Sequence, residues 1–173
     1  MNENRFFDNN TGTIYDRQTN LVWLKNPMAI NPTSWLSASQ LCSRLKHGDY
    51  SLNDHSYSGE WRLPSIVDFM SIIDYFRQEP ALHEYFCNCV PPPLPGVYWT
   101  SDRLISFPNR SWCVDLFYGR VFYEYTGKAS LSNLRIPIYM EHFIRPDSFG
   151  EAEYIAFVWP VHPFRGAMRK LRC

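Results

Sequence analysis

An α+β fold, with two helices packed on a twisted antiparallel sheet, is predicted by three observations. Short β-prone runs separated by turn-forming clusters open the chain, two amphipathic helical patterns follow, and further β-prone runs close it. Strands and helices that come in separate groups, without alternating, are the pattern of α+β domains. The 173 residues suit a single domain, 1–173,. A chain of this length buries roughly 70% of the surface that unfolding exposes, so it folds without metal or disulfide staples.

Arg5-Phe6-Phe7 leads into the turn-forming Asp8-Asn9-Asn10-Thr11-Gly12, and Thr13-Ile14-Tyr15 follows as a short β-prone run,. A second turn at 16–20 precedes Leu21-Val22-Trp23-Leu24, which completes a meander of short strands,. The first helix is expected to begin at Asn31 or Thr33, with Pro32 tolerated in its first turn,. Trp35, Ala38, Leu41, Cys42 and Leu45 give it one apolar face, and Gly48 stops it,. Residues 49–59 are polar and read as a loop. Ser65 caps the second helix, with Asp68 three residues on in a capping box; Ile66, Phe69, Met70, Ile73 and Phe76 line one face up to Arg77,.

Four prolines within 91–95 exclude helix and predict an extended connector,. It leads into the strand Val97-Tyr98-Trp99-Thr100. The runs 111–116 and 120–125, separated by Phe117-Tyr118-Gly119, predict a hairpin,. Residues 154–161 read as one further strand, and 126–153 as a long insertion before it with no clear period. Connections of that length are usually functional or ordered by a partner. Residues 165–173 form a short basic tail.

Composition narrows the function classes. Lys+Arg equals Asp+Glu, and zero net charge argues against a general nucleic-acid binder,. Six Trp, eleven Tyr and twelve Phe exceed what an ordinary core uses, and such an excess goes to interfaces and ligand surfaces,. No run approaches the ~18 apolar residues of a membrane span,. Residues 1–10 lack the features of a signal peptide, so the chain as it stands is expected in the cytoplasm, or outside the cell if an export signal was removed,. The five cysteines are odd in number and scattered, unlike a disulfide framework,.

The motif order resembles the Lcl C-terminal domain family, named after a bacterial collagen-like adhesin. Asp8 to Asp16 followed by Thr19-Asn20-Leu21-Val22-Trp23 is similar to the family's opening D-x-x-x-G-T-V-x-D-x-x-T-G-L-x-W. Gly59-Glu60-Trp61-Arg62-Leu63-Pro64-Ser65 resembles its W-R-L-P-T element, and Tyr98-Trp99-Thr100-Ser101 its Y-W-S-S strand. Trp112-Cys113-Val114-Asp115-Leu116 with Gly119-Arg120-Val121 resembles its hairpin, and Val158-Trp159-Pro160-Val161-His162 its closing V-R-P-V-R. Trp159 and His162 depart from that last motif, where arginines are usual. The resemblance implies a C-type-lectin-like architecture, shared with formylglycine-generating enzymes, used as a binding or adhesion module. In the adhesin that names the family the domain forms trimers and binds sulfated polysaccharides.

Structural roles account for most of the conspicuous residues. Trp61 is expected in the core, Arg62 on carbonyls or a carboxylate, Pro64 at the helix entry, and Asp16 and Asp115 at turns,. His83, Cys87 and Cys89 form a His-x3-Cys-x-Cys cluster, but structural zinc takes four ligands and no second pair stands at familiar spacing,. No metal or other cofactor is therefore expected. Cys42 with Cys113 is the candidate disulfide, against a default of free thiols,. An enzyme would be a redox or metal-dependent one using Cys87 and Cys89, and no local Cys–His signature supports it,.

A recognition surface is the leading reading. Arg120, Tyr123 and Tyr125 lie along one strand and are expected to project from one face,. The insertion adds Arg135, Tyr139, His142, Phe143 and Arg145. Arg and Tyr suit protein interfaces and anionic sugars alike. The expected function is a non-catalytic module that binds a protein partner through 128–153 and nearby strand ends. The alternative is an exported, oligomeric domain binding carbohydrate or sulfated polysaccharide.

Overall fold

The meander at the N-terminus forms through its turns. In the computed structural model, which describes residues 5–77, 80–87, 96–130, 144–149 and 151–165, β1 (Phe6–Asp8), β2 (Thr13–Asp16) and β3 (Leu21–Leu24) pair antiparallel. Asp8 accepts from the Asn10 backbone N–H at 2.8 Å, and Asn10 and Gly12 take φ of 56° and 80°. A Cβ on Gly12 would lie 2.7 Å from the Ser51 carbonyl oxygen. Gly12→Ala is therefore expected to cost about 2 kcal/mol, from positive φ and overlap together. Urea unfolding reads this, and an unchanged midpoint would show that the 49–53 segment shifts freely.

Among the described residues, ten strands make three antiparallel sheets, not the single sheet expected. β1-β2-β3 is extended by β10 (Val161–Pro163). β4 (Val97–Arg103), β5 (Arg110–Asp115) and β6 (Arg120–Tyr125) form the second sheet, with the predicted hairpin turn at 116–119. β7 (Lys128–Ser130), β9 (Glu151–Tyr154) and β8 (Ile144–Pro146) form the third. The described parts of 126–153 thus include three short strands, where the sequence showed no period. The proline connector 91–95 and residues 166–173 of the basic tail lie outside the described residues.

Helix α1 (Trp35–Arg44) starts later than Asn31 or Thr33, because Thr33 exchanges two backbone hydrogen bonds of 3.0 Å with Ala156 and cannot join a helix. It also ends before Gly48, which takes φ 92° in the following turn. Helix α2 (Ile66–Ile72) has the predicted capping box: Ser65 Oγ accepts from the Asp68 N–H, and Asp68 accepts from the Ser65 N–H. It stops at Ile72 and does not reach Arg77. Ile73 is extended and bridges Leu82, while His83 donates its N–H to the Ile72 carbonyl at 2.8 Å. Phe76 is consequently fully exposed, not part of an apolar face. A third short helix, α3 (Glu84–Cys87), follows. α1 lies against β4, and α2 against β4 and β5.

The predicted strand 154–161 is broken after Tyr154. Residues 156–161 pass from layer to layer. Phe157 exchanges backbone bonds with Val97 and Trp99, Pro160 accepts from the Leu24 N–H at 3.0 Å, and Val161 bridges Arg62. Pro160 has no N–H to continue a ladder. This segment joins the first two sheets, the start of α1 and the loop before α2. Trp23, Trp61, Trp99 and Trp159 are all fully buried around it, with Phe69, Tyr98 and Phe86. The aromatic excess therefore builds the core first, and each further exposed ring calls for its own explanation.

Candidate functional site

Exposed aromatic and basic side chains gather on the β5–β6 hairpin. Strand register decides which of them share a face. Arg110 pairs with Tyr125 and Trp112 with Tyr123, so these four project together, while Ser111, Cys113 and Asp115 pair with Glu124, Phe122 and Arg120 on the other side,. Arg120 is therefore not on the face of Tyr123 and Tyr125. It lies an odd number of residues from both, and its guanidinium sits 4.6 Å from the centre of the Tyr118 ring.

The residue that organises this face was not singled out by the sequence. Arg110 Nη2 donates to the Tyr125 hydroxyl at 2.8 Å, and its guanidinium lies 4.5 Å from the Tyr125 ring, 5.1 Å from Tyr123 and 5.4 Å from Phe107. Trp112 meets Tyr123 edge to face at 5.6 Å. The hydrogen bond to Tyr125 holds the guanidinium pKa above its ordinary value, so the charge is permanent,. Backbone bonds from Phe107 to Leu104 and from Arg110 to Phe107 hold the β4–β5 turn tight beside this cluster. Its side chains Ile105 and Phe107 are 100% and 51% exposed. The cross-strand pairing of the predicted hairpin was the signal that could have found Arg110 and Trp112.

The opposite face is buried at Ser111, Cys113 and Asp115 and opens at Arg120. Cys113 is fully buried there, and burial pushes the Glu124 carboxyl up to about 7. Of the insertion's candidates, Arg145 is exposed on β8 opposite Glu153. Arg135, Tyr139, His142 and Phe143 lie outside the described residues.

The remaining candidates take structural places. Arg62 donates to the Leu63 carbonyl at 3.0 Å and to Asp68 at 2.6 Å, while Trp61 is in the core. Asp115 accepts from the Phe117 and Tyr118 N–H groups and shapes the hairpin turn. His83 packs edge-on against Phe6 at 4.7 Å. Cys89 and the Cys87 side chain lie outside what is described, and no three-ligand metal cluster occurs among the described residues. Cys42 and Cys113 are buried free thiols, in line with the default reading, and the candidate disulfide between them does not form. Burial raises the Cys42 thiol to about 12 and Cys113 well above its ordinary value.

No curated protein and no solved structure gives a significant match. The model of the Lcl C-terminal domain matches residues 12–136, which hold the Trp61-Arg62-Leu63-Pro64 and Tyr98-Trp99 elements and the whole β5–β6 hairpin. With most of its length covered by that match, the chain belongs to the Lcl C-terminal domain family.

Proposed function

We propose that this domain is a non-catalytic recognition module that seats a protein partner on the β4–β5 turn and the Arg110–Tyr123–Tyr125 face. The observation that carries the reading is a guanidinium held among three aromatic rings beside the fully exposed Ile105. Arg, Tyr and bare apolar side chains together are the composition of a protein interface core. Polyanionic sugar would use the charge of Arg110 but leave Ile105 and Phe107 in water. The exposed Arg145 on β8 extends the same surface in this reading, and the lectin-like and adhesive uses that the family resemblance implies are binding uses of the same kind.

The thiol environments support a binding role over catalysis. Cys42 and Cys113 are enclosed and hard to ionise, the reverse of what a nucleophile needs,. No helix among the described residues is long and apolar enough to cross a membrane.

Affinity capture from host lysate and culture medium, with the wild type and the Arg110→Ala/Tyr123→Ala variant, tests the proposal. A stoichiometric protein recovered from lysate should bind the variant at least about tenfold more weakly, at unchanged Tm. Equal capture by both forms would move the interface elsewhere. Displacement of wild type by heparin, with no protein retained, would establish the polysaccharide reading instead.

A further inference from the structure

A cleft of about 460 Å3 opens between the β1–β2 turn, segment 53–60 and β10, and Thr11, Asn53, Asp54, Glu60, His162 and Phe164 are among its lining residues. Two acceptors face each other in its wall. Asp54 Oδ1 accepts from the Ser56 N–H at 3.1 Å and the Ser56 hydroxyl at 2.8 Å, which leaves Oδ2 for another donor. His162 Nδ1 lies 2.8 Å from the Pro163 carbonyl oxygen. A carbonyl only accepts, so Nδ1 carries the proton and the neutral ring presents a lone pair at Nε2. Nε2 and Oδ2 are 3.9 Å apart, on side chains 13% and 8% exposed. Neither atom has a hydrogen-bond partner among the described residues, and both are shielded from solvent. Leaving two buried acceptors opposed in this way is costly, and one proton held between them satisfies both.

We propose that Asp54 and His162 form a proton-operated latch. A proton taken from solvent onto Nε2 turns the opposed acceptors into an imidazolium–carboxylate hydrogen bond, which draws segment 53–60 onto β10 and narrows the cleft. The charged groups around the ring are Asp54 and Glu60 from that segment and Arg165 just past β10, with Arg165 held by Glu60 at 3.1 Å. His55 lines the same cleft, and Trp61 meets the imidazole edge to face at 4.4 Å. Burial draws the His162 pKa below its ordinary 6.5, against the opposing pull of the Pro163 carbonyl, Asp54 and Glu60. The latch is therefore open at neutral pH and closes on the acid side. Because the folded value lies below the unfolded one, the stability linked to this ring is complete above about 6.5 and falls as pH drops through the folded value,.

Asp54→Asn separates this from a purely structural role. Its amide oxygen can keep both Ser56 contacts while its N–H donates to Nε2, so the latch closes without a proton. At about pH 7.5 the variant should melt about 3 °C above wild type, the size of one recovered hydrogen bond. Its His162 ring should also stay neutral to lower pH than in wild type. A Tm at or below wild type would overturn the latch. Wild-type protein titrated by nitrogen-edited NMR gives an independent reading: a slowly exchanging Nε2 proton should emerge as His162 protonates. Protonation without that signal would reject the proposal even if the variant failed to fold.

Discussion

Trp159→Ala is expected to lower stability by about 4 kcal/mol, seen as a Tm drop of roughly 8–16 °C. The indole is fully buried and meets Phe86, Trp23 and Tyr98 at 5.4, 5.5 and 5.6 Å. Its Nε1–H donates to the Leu24 carbonyl at 2.8 Å. Truncation opens a cavity among rings that cannot all collapse, and it leaves a buried carbonyl without its donor. The loss also falls where the closing segment crosses between sheets, so no local rearrangement can absorb it. Trp159→Phe separates the two contributions. It keeps most of the ring volume and should cost about 1–2 kcal/mol, chiefly for the lost hydrogen bond. Thermal unfolding of both variants checks this, and equal losses would show that the hydrogen bond, not the volume, dominates.

The same segment shows where sequence reading stops. The capping box of Ser65 and Asp68, the turns at Asp8–Gly12 and Gly119, and the β5–β6 hairpin depend on neighbours within a few residues, and each forms where the sequence places it. Residues 156–161 read locally as strand because they are β-branched and aromatic. Their partners are Thr33, Val97, Leu24 and Arg62, all distant in sequence, and those partners break the strand into single bridges. Both helix boundaries were lost in the same way. Thr33 is taken by Ala156 and Ile73 by Leu82, so tertiary pairing overrides a helical period that would otherwise continue,.

The candidate site was legible in part, for a similar reason. Tyr123 and Tyr125 could be placed from strand period alone, and Arg120 is excluded from their face by the same period once it is counted through,. Arg110 needed the register of the hairpin, which a sequence supplies only after the turn has been fixed. Asp54 and His162 lie more than a hundred residues apart and carry no shared local signal; only the fold brings them to 3.9 Å.

Asp16→Ala is the second large effect, about 3 kcal/mol at neutral pH. The carboxylate is fully enclosed, and Arg5 is 25% exposed. Asp16 accepts from Arg5 Nε and Nη2 at 2.8 and 2.6 Å, from the Gln18 N–H at 3.0 Å and from the Thr19 hydroxyl at 2.8 Å. Arg5 Nη2 also donates to the Ser71 carbonyl at 2.8 Å, so one carboxylate fixes the β2–β3 turn and ties β1 to α2. Burial alone would raise its pKa, but the hydrogen bonds from Arg5, Thr19 and Gln18 outweigh it and hold the value below the ordinary 3.8. A depressed folded pKa means that the linked stability is complete above 3.8 and is lost as pH falls through the folded value,. The difference between wild type and Asp16→Ala in urea should therefore be full at neutral pH and shrink in strong acid. A difference that stays constant with pH would assign the loss to turn geometry and not to the charge that Arg5 holds.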